Sequence, residues 1–152
     1  IYGICPIKDN KVRQEIIEKE ILGKGFKLAS LLHPSVIAAD DFQYGPGSII
    51  YPGVKISYDV QLGRGVIVNY NSVLGHNLRV GDFAFLGPSV TLPGRCLVGK
   101  SCLLGAGVTF GEGVSMGDNA IAGLGTTVFS NIDALTSVTD LPRSVTMGIQ
   151  PE

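Results

Sequence analysis

Leu62-Gly63-Arg64-Gly65-Val66-Ile67, Val68-Asn69-Tyr70-Asn71-Ser72-Val73, Leu74-Gly75-His76-Asn77-Leu78-Arg79 and Val80-Gly81-Asp82-Phe83-Ala84-Phe85 are four consecutive six-residue units, each opening on an aliphatic residue. Followed outward in both directions, the period runs unbroken from Tyr44 to Asp133. Every sixth residue reads Tyr44, Ile50, Ile56, Leu62, Val68, Leu74, Val80, Leu86, Leu92, Val98, Leu104, Phe110, Met116, Ala122 and Val128, and all are apolar or aromatic. In a chain that is 45% apolar, chance would produce such a row with a probability of about 10⁻⁵.

Four residues past each anchor the side chain is small or apolar and never charged, from Ser48, Val54 and Val60 to Ala120, Thr126 and Ile132. Two inward positions flanking one outward position make a short strand, and three corner residues follow. The residue after the anchor is Gly in ten of the fifteen units, as expected if a tight corner demands backbone angles that a Cβ forbids. One unit cannot bury its own apolar side chains, so units must stack. The expected fold is mainly β, a left-handed parallel β-helix with three units per turn, 18 residues per coil and about five coils.

Residues 18 apart should then lie above one another. Outward positions on one face read Ile49, Ile67, Phe85, Leu103 and Ile121; on the second, Lys55, Val73, Thr91, Thr109 and Thr127; on the third, Gln61, Arg79, Leu97, Ser115 and Asp133. The first row is apolar throughout. A stripe of that length marks an interface, and three prisms packed around a threefold axis would bury it. The alternative is that residues 1–40 or the C-terminal tail cover the stripe within one chain.

Residues 1–33 stand outside the repeat. Asp9 or Asn10 can cap a helix carrying Val12, Ile16, Ile17 and Ile21, Gly25 sits near its end, and Phe26 to Leu32 reads as a short strand. This strand-helix-strand piece looks like the end of a larger α/β domain that begins before Ile1, and residues 34–152 form the β-helix domain. After Val128 the hexad is lost, and residues 129–152 are expected to pack back on the last coils.

Composition narrows the function. Gly, at 21 residues, is about twice its usual share, and twelve basic against thirteen acidic residues leave a net charge of -1. No basic run tracks a phosphate backbone, so nucleic acid is not an expected partner. There is no apolar stretch of membrane-spanning length and no signal-peptide pattern, which points to the cytoplasm. Cys5, Cys96 and Cys102 are an odd number without metal-type spacing and are expected to be reduced thiols, with no metal bound.

Reactive side chains are few. His33 lies beside Pro34 outside the repeat. His76 falls on a corner, where side chains project outward and the role of a satisfied core histidine does not apply. Tyr58 lies one coil below it, with Gly94, Glu112 and Ser130 in successive coils above. A glycine above a projecting imidazole should leave a slot for a slim substrate. The neighbouring corner stack reads Pro52, Tyr70, Pro88, Ala106 and Leu124, flanked by Gly105, Gly107, Gly123 and Gly125, and such small corners let an extended ligand approach the backbone.

These features resemble the hexapeptide-repeat sugar acyltransferases. The prism, the lead-in Leu31-Leu32-His33-Pro34-Ser35, the run Val66-Ile67-Val68-Asn69 and Gly75-His76-Asn77 followed by Val80-Gly81-Asp82 look most like the sialic acid O-acetyltransferase and bacillosamine-type N-acetyltransferase branch. The resemblance implies a cytoplasmic homotrimer that binds acetyl-CoA in grooves between prisms and acetylates a hydroxyl or amine of a sugar or nucleotide-sugar in glycan biosynthesis. It also implies that residues 1–33 are the end of a Rossmann-like domain that binds the nucleotide-sugar. Position by position, His76 matches the catalytic base, Gly94 the place where the thioester sits under a backbone N–H, and Ala106 and Leu124 the corners flanking the pantetheine arm. Two residues depart from the pattern. Asn77 stands where relatives carry an acid that orients the imidazole, and Phe85 stands where many carry a second histidine. Asn77 can hold a tautomer without supplying charge, and Phe85 can line the CoA groove without hydrogen-bonding the acetyl group.

Rival uses of the prism fit less well. A γ-class carbonic anhydrase needs three histidines for its zinc, and an ice-binding prism needs regular Thr rows, whereas Thr91, Thr109 and Thr127 make a single ladder. A non-catalytic trimeric scaffold, or an acyltransferase with a longer acyl donor, remains as an alternative.

Overall fold

A computed structural model describes residues 1–140. The repeat winds into a left-handed parallel β-helix whose two-residue strands stack in three sheets. The first face stacks Leu31–Leu32, Ile49–Ile50, Ile67–Val68, Phe85–Leu86, Leu103–Leu104, Ile121–Ala122 and Ser137–Val138. The second runs from Ile37–Ala38 to Thr127–Val128 and the third from Gln43–Tyr44 to Ser115–Met116. Register is 18 residues from coil to coil, as in Val73↔Thr91 and Phe85↔Leu103.

There are about six turns, one more than the five expected, because winding begins at Leu31. Leu32 and Ala38 continue the anchor row downward, but the open end of the prism leaves Leu32 exposed and Ala38 half-buried. At the upper end residues 129–138 continue the winding instead of folding back. Ile132 bridges Met116, and Ser137 pairs with Ile121, both at a spacing of 16. Two residues dropped from one turn hide the hexad without ending the coil. The remainder of the expected tail packing, residues 141–152, lies outside the described residues.

Inward residues form continuous columns. Ile50, Val68, Leu86, Leu104 and Ala122 are one; Ile56, Leu74, Leu92, Phe110 and Val128 another, all in a single buried core. Each fully buried aliphatic side chain contributes roughly 1.5–3 kcal/mol, so an uninterrupted column outweighs the weak pairing of two-residue strands. Cys5, Cys96 and Cys102 are free and buried; Cys102 Sγ donates to Gly117 O at 3.0 Å.

The glycines following the anchors serve a different purpose from the one expected. Positive φ occurs two residues later, at the third corner position, which holds Gly47, Gly53, Asp59, Gly65, Asn71, Asn77 and Arg95 among others. Most of the glycines after an anchor are required by close approach, Gly111 being an exception. A Cβ at Gly75 would stand 2.6 Å from Gly94 N, because successive corners nest directly on one another.

Residues 1–28 form a small unit against the prism. Strand β1 (Tyr2–Gly3) pairs in parallel with β2 (Lys27–Leu28), and between them α1 (Asn10–Glu15) widens into a π-helical segment, Ile16–Leu22. Asp9 caps the helix by accepting from Val12 N–H at 2.9 Å. Phe26 to Leu32 is therefore two strands, since β2 pairs with β1 whereas Leu31–Leu32 joins the first face. The buried helix face is Arg13, Ile17 and Ile21, with Val12 exposed. The Arg13 guanidinium donates to carbonyls of Ile7, Lys8, Gly65, Phe83 and Ala84, and burial lowers its pKa to about 10. Ile17, Ile21 and Cys5 pack with Phe83 of the prism, and Asn10 donates to the carbonyls of Ser101 and Cys102.

This docking overturns the expected open stripe. Ile49 and Ile67 are buried within the chain, Phe85 and Leu103 are half-buried, and Ile121 is exposed. Lys8 Nζ stands 5.7 Å from the centre of the Phe85 ring. A face so covered cannot be set against a threefold axis along its length.

Candidate active site

Three corners separate the faces. The first, between the first and second faces, carries Pro52, Tyr70, Pro88, Ala106 and Leu124. The second, between the second and third faces, carries Tyr58, His76, Gly94 and Glu112. At both, the N–H of the third corner residue donates to the carbonyl one coil below, as in Asn77 N to Tyr58 O at 3.1 Å and Arg95 N to His76 O at 2.8 Å. These rungs hold the column of side chains at a fixed vertical spacing.

Within that column His76 is clasped from both sides. The Tyr58 ring stacks beneath the imidazole at 5.2 Å between centroids and 8° between planes. Above, Gly94 leaves room that the imidazole itself fills, since a Cβ there would collide with Cε1 and Nε2. The expected slot therefore holds the ring rather than a substrate, and it fixes where Nε2 lies. His76 keeps 31% of its side-chain exposure.

Both ring nitrogens have distinct neighbours. Nδ1 is 2.9 Å from Asn77 Oδ1. Nε2 faces Glu112 Oε1 at 3.9 Å, too far for a hydrogen bond, and Glu112 is engaged at 2.8 Å by Arg95 Nη2. Asn77 Nδ2 donates to Asp59, whose carboxylate also accepts from Arg79 Nη2 at 2.7 Å. Those two hydrogen bonds, Arg79 first and Asn77 second, hold the Asp59 carboxyl below the usual carboxylate range. A neutral imidazole protonated at Nδ1 and open at Nε2 can take a proton from a nucleophile.

Of the residues singled out in the sequence, the structure brings His76, Asn77 and Gly94 together. Ala106 and Leu124 lie on the first corner, across the second face. Phe85 is on the first face, which in a triangular prism lies opposite the second corner. His33 is exposed at the foot of the first corner, its Nδ1 2.8 Å from Ser35 Oγ, beside an apolar cleft of about 360 Å³ lined by Ile4, Pro6 and Ile49 among others. Asp59 and Arg79 were missed as site residues. The 18-residue spacing applied to Asn77, as it was to His76, finds Asp59 directly. Among the described residues no group of three or more His, Cys, Asp or Glu is gathered to hold a metal, and no helix is long and apolar enough to cross a membrane.

No protein-family model and no curated protein sequence matches the chain. Solved structures do. The acetyltransferase domain of PglB from Neisseria gonorrhoeae, in complex with acetyl coenzyme A, is 25% identical with a TM-score of 0.86 over 90% of this chain and 66% of that one. PerB from Caulobacter crescentus, in complex with CoA and GDP-perosamine, is 29% identical with a TM-score of 0.89 over 96% and 70%. A single-site variant of perosamine N-acetyltransferase from the same organism, also with CoA and GDP-perosamine, is 28% identical with a TM-score of 0.89 over 97% and 70%. The chain thus spans about two thirds of the length of these structures.

Proposed function

We propose that this prism, whose structural neighbours are hexapeptide-repeat sugar N-acetyltransferases, transfers acetyl groups from acetyl-CoA to an amine on a sugar or nucleotide-sugar. The observation that carries the reading is the His76 imidazole, stacked on Tyr58, covered by Gly94 and bonded at Nδ1 to Asn77, with Nε2 open toward Glu112. As the acceptor nitrogen attacks the thioester carbonyl, Nε2 takes its proton. The C–N bond forms, the C–S bond breaks, and the proton passes to the departing CoA sulfur. The acceptor attacks as the free amine, since an ammonium ion has no lone pair, and the choice of an amine over a hydroxyl is supported by the perosamine N-acetyltransferase neighbour.

The donor fits the first corner. A Cβ at Gly125 would meet nothing within 4 Å, and one at Gly107 would meet only the Gly125 Cα at 3.8 Å, so Ala106 and Leu124 sit on a slim ridge along which a pantetheine arm could lie. That ridge and His76 are separated by the second face of their own chain, so one copy does not complete the groove. A threefold axis set against the second face would bring the first corner of one copy beside the second corner of the next. The exposed apolar residues Ile37 (66%), Val73 (41%) and Leu124 (58%) support a homotrimer of that kind. In this arrangement Phe85 is outside the groove. The β1–α1–β2 unit, two parallel strands joined through a helix, reads as the last turn of a Rossmann-like nucleotide-sugar domain, in keeping with the greater length of the neighbours. Such an enzyme would work in the cytoplasm, in glycan biosynthesis.

His76→Ala decides the matter. With acetyl-CoA and a panel of amino-sugar nucleotides that includes GDP-perosamine, released CoA thiol should fall at least 100-fold while calorimetry still shows acetyl-CoA binding. Substantial turnover by the variant would remove His76 as the base. Absence of acetyl-CoA binding by the unaltered protein would favour a scaffold.

A further inference from the structure

Asn77 has two chemically different ends, and which of them faces His76 decides the protonation of the ring. Asn77 Nδ2 donates to Asp59 Oδ2 at 2.5 Å, and Arg79 occupies the other side of Asp59, with Nη2 on Oδ1 at 2.7 Å and Nη1 on the main-chain oxygen at 2.6 Å. The polarity of this chain is set at its far end. A guanidinium only donates and an ionised carboxylate only accepts. Asp59 therefore admits only the NH₂ end of Asn77, the carbonyl end must face His76, and a carbonyl oxygen accepts only Nδ1–H. A proton kept on Nδ1 leaves the lone pair on Nε2.

We propose that Asp59 is the positioning residue that selects the base-competent tautomer of His76, acting through Asn77 in place of an acid bonded directly to the ring; the catalytic consequence rests on the reading of His76 as the base. The backbone is built for it. Asp59 and Asn77 occupy the same corner position in successive coils with φ of +52° and +54°, a left-handed conformation in which Asp and Asn are among the most favoured non-glycine residues. The Asp59 N–H is held in turn by Asp41 Oδ2 at 2.9 Å.

The tautomer is read from the ¹⁵N resonances of labelled histidine at about pH 8.5, where an ordinary imidazole is neutral, with His33→Gln removing the other histidine. His76 of the unaltered site should be protonated at Nδ1. In Asp59→Asn, whose amide can donate or accept, Asn77 is free to turn and the Nε2–H tautomer should become the larger population. Turnover should drop about tenfold in kcat with KM for acetyl-CoA unchanged. Adding Asn77→Asp to Asp59→Asn places a carboxylate directly on Nδ1 and should restore both tautomer and kcat, a rescue that a merely structural Asp59 would not show. Retention of Nδ1–H in Asp59→Asn, an Nε2–H ring in the unaltered site, or failure of the rescue overturns the proposal. If the tautomer reverses as expected but the unaltered protein transfers no acetyl group, the functional reading fails and the tautomer selection by Asp59 stands.

Discussion

Gly94 shows how much a single absent side chain can decide. Its Cα lies over His76 so closely that the ring occupies the space of a Cβ, and the same contact that stacks the imidazole on Tyr58 aims Nε2 at Glu112. Gly94→Ala should leave the coil intact, because neighbouring corner columns already carry side chains such as Ala106, and should push His76 off Tyr58. The expected result is a kcat at least tenfold lower with an unchanged thermal midpoint, measured by CoA release and by calorimetric unfolding. Asp59 and Asn77 belong to the same scale. Their residue types are legible in the sequence, but the hydrogen bond between them is not, because it joins side chains 18 positions apart whose direction depends on a left-handed backbone angle.

At the scale of the element, the helix at residues 10–22 is the piece whose period is legible and whose partner is not. The spacing of Val12, Ile16, Ile17 and Ile21 suggests one apolar face, yet the face that docks is Arg13, Ile17 and Ile21. Where turns end, the Gly65 and Phe83 carbonyls converge beside Ala84 O, which already accepts from the Ile67 N–H, and a guanidinium reaches all three at once. Arg13→Ala takes this donor from the Gly65 and Phe83 oxygens and should cost about 2–4 kcal/mol of local stability. Hydrogen exchange checks it: amides of Ile17 and Ile21 should lose protection while Leu86 and Leu104, deep in the prism, keep theirs. Equal loss at all four would mean that the small unit and the prism unfold together.

For the whole molecule, the separation of His76 from Ala106 and Leu124 carries the prediction. If the groove forms between copies, a His76→Ala chain co-expressed with an Ala106→Trp chain should regain activity that neither has alone. Random pairing leaves about a quarter of the interfaces with both corners intact, so about a quarter of the unaltered rate is expected. No recovery in a mixed trimer would place the whole site within one chain. The same winding sets Phe85 apart from His76: it follows His76 closely in the chain, but half a coil carries it to the opposite face, where Lys8 lies against its ring.

A strict period propagates through every turn, so the sequence alone determined the parallel β-helix, its 18-residue register, its core columns and the place of His76 between Tyr58 and Gly94. It also showed where the pattern stops, but not that winding begins at Leu31, where the open end of the prism leaves the anchor Leu32 exposed, or that it continues past Val128, where two residues dropped from one turn move the next anchor to Ile132. Only the tertiary structure decided that residues 1–28 cover the first face and that most of the glycines after the anchors answer to close approach rather than to φ. The same is true of Asp59, which reaches the imidazole through Asn77. Each of these depends on a contact between segments distant in sequence or on a side-chain direction, and a residue pattern specifies neither until the backbone has been wound.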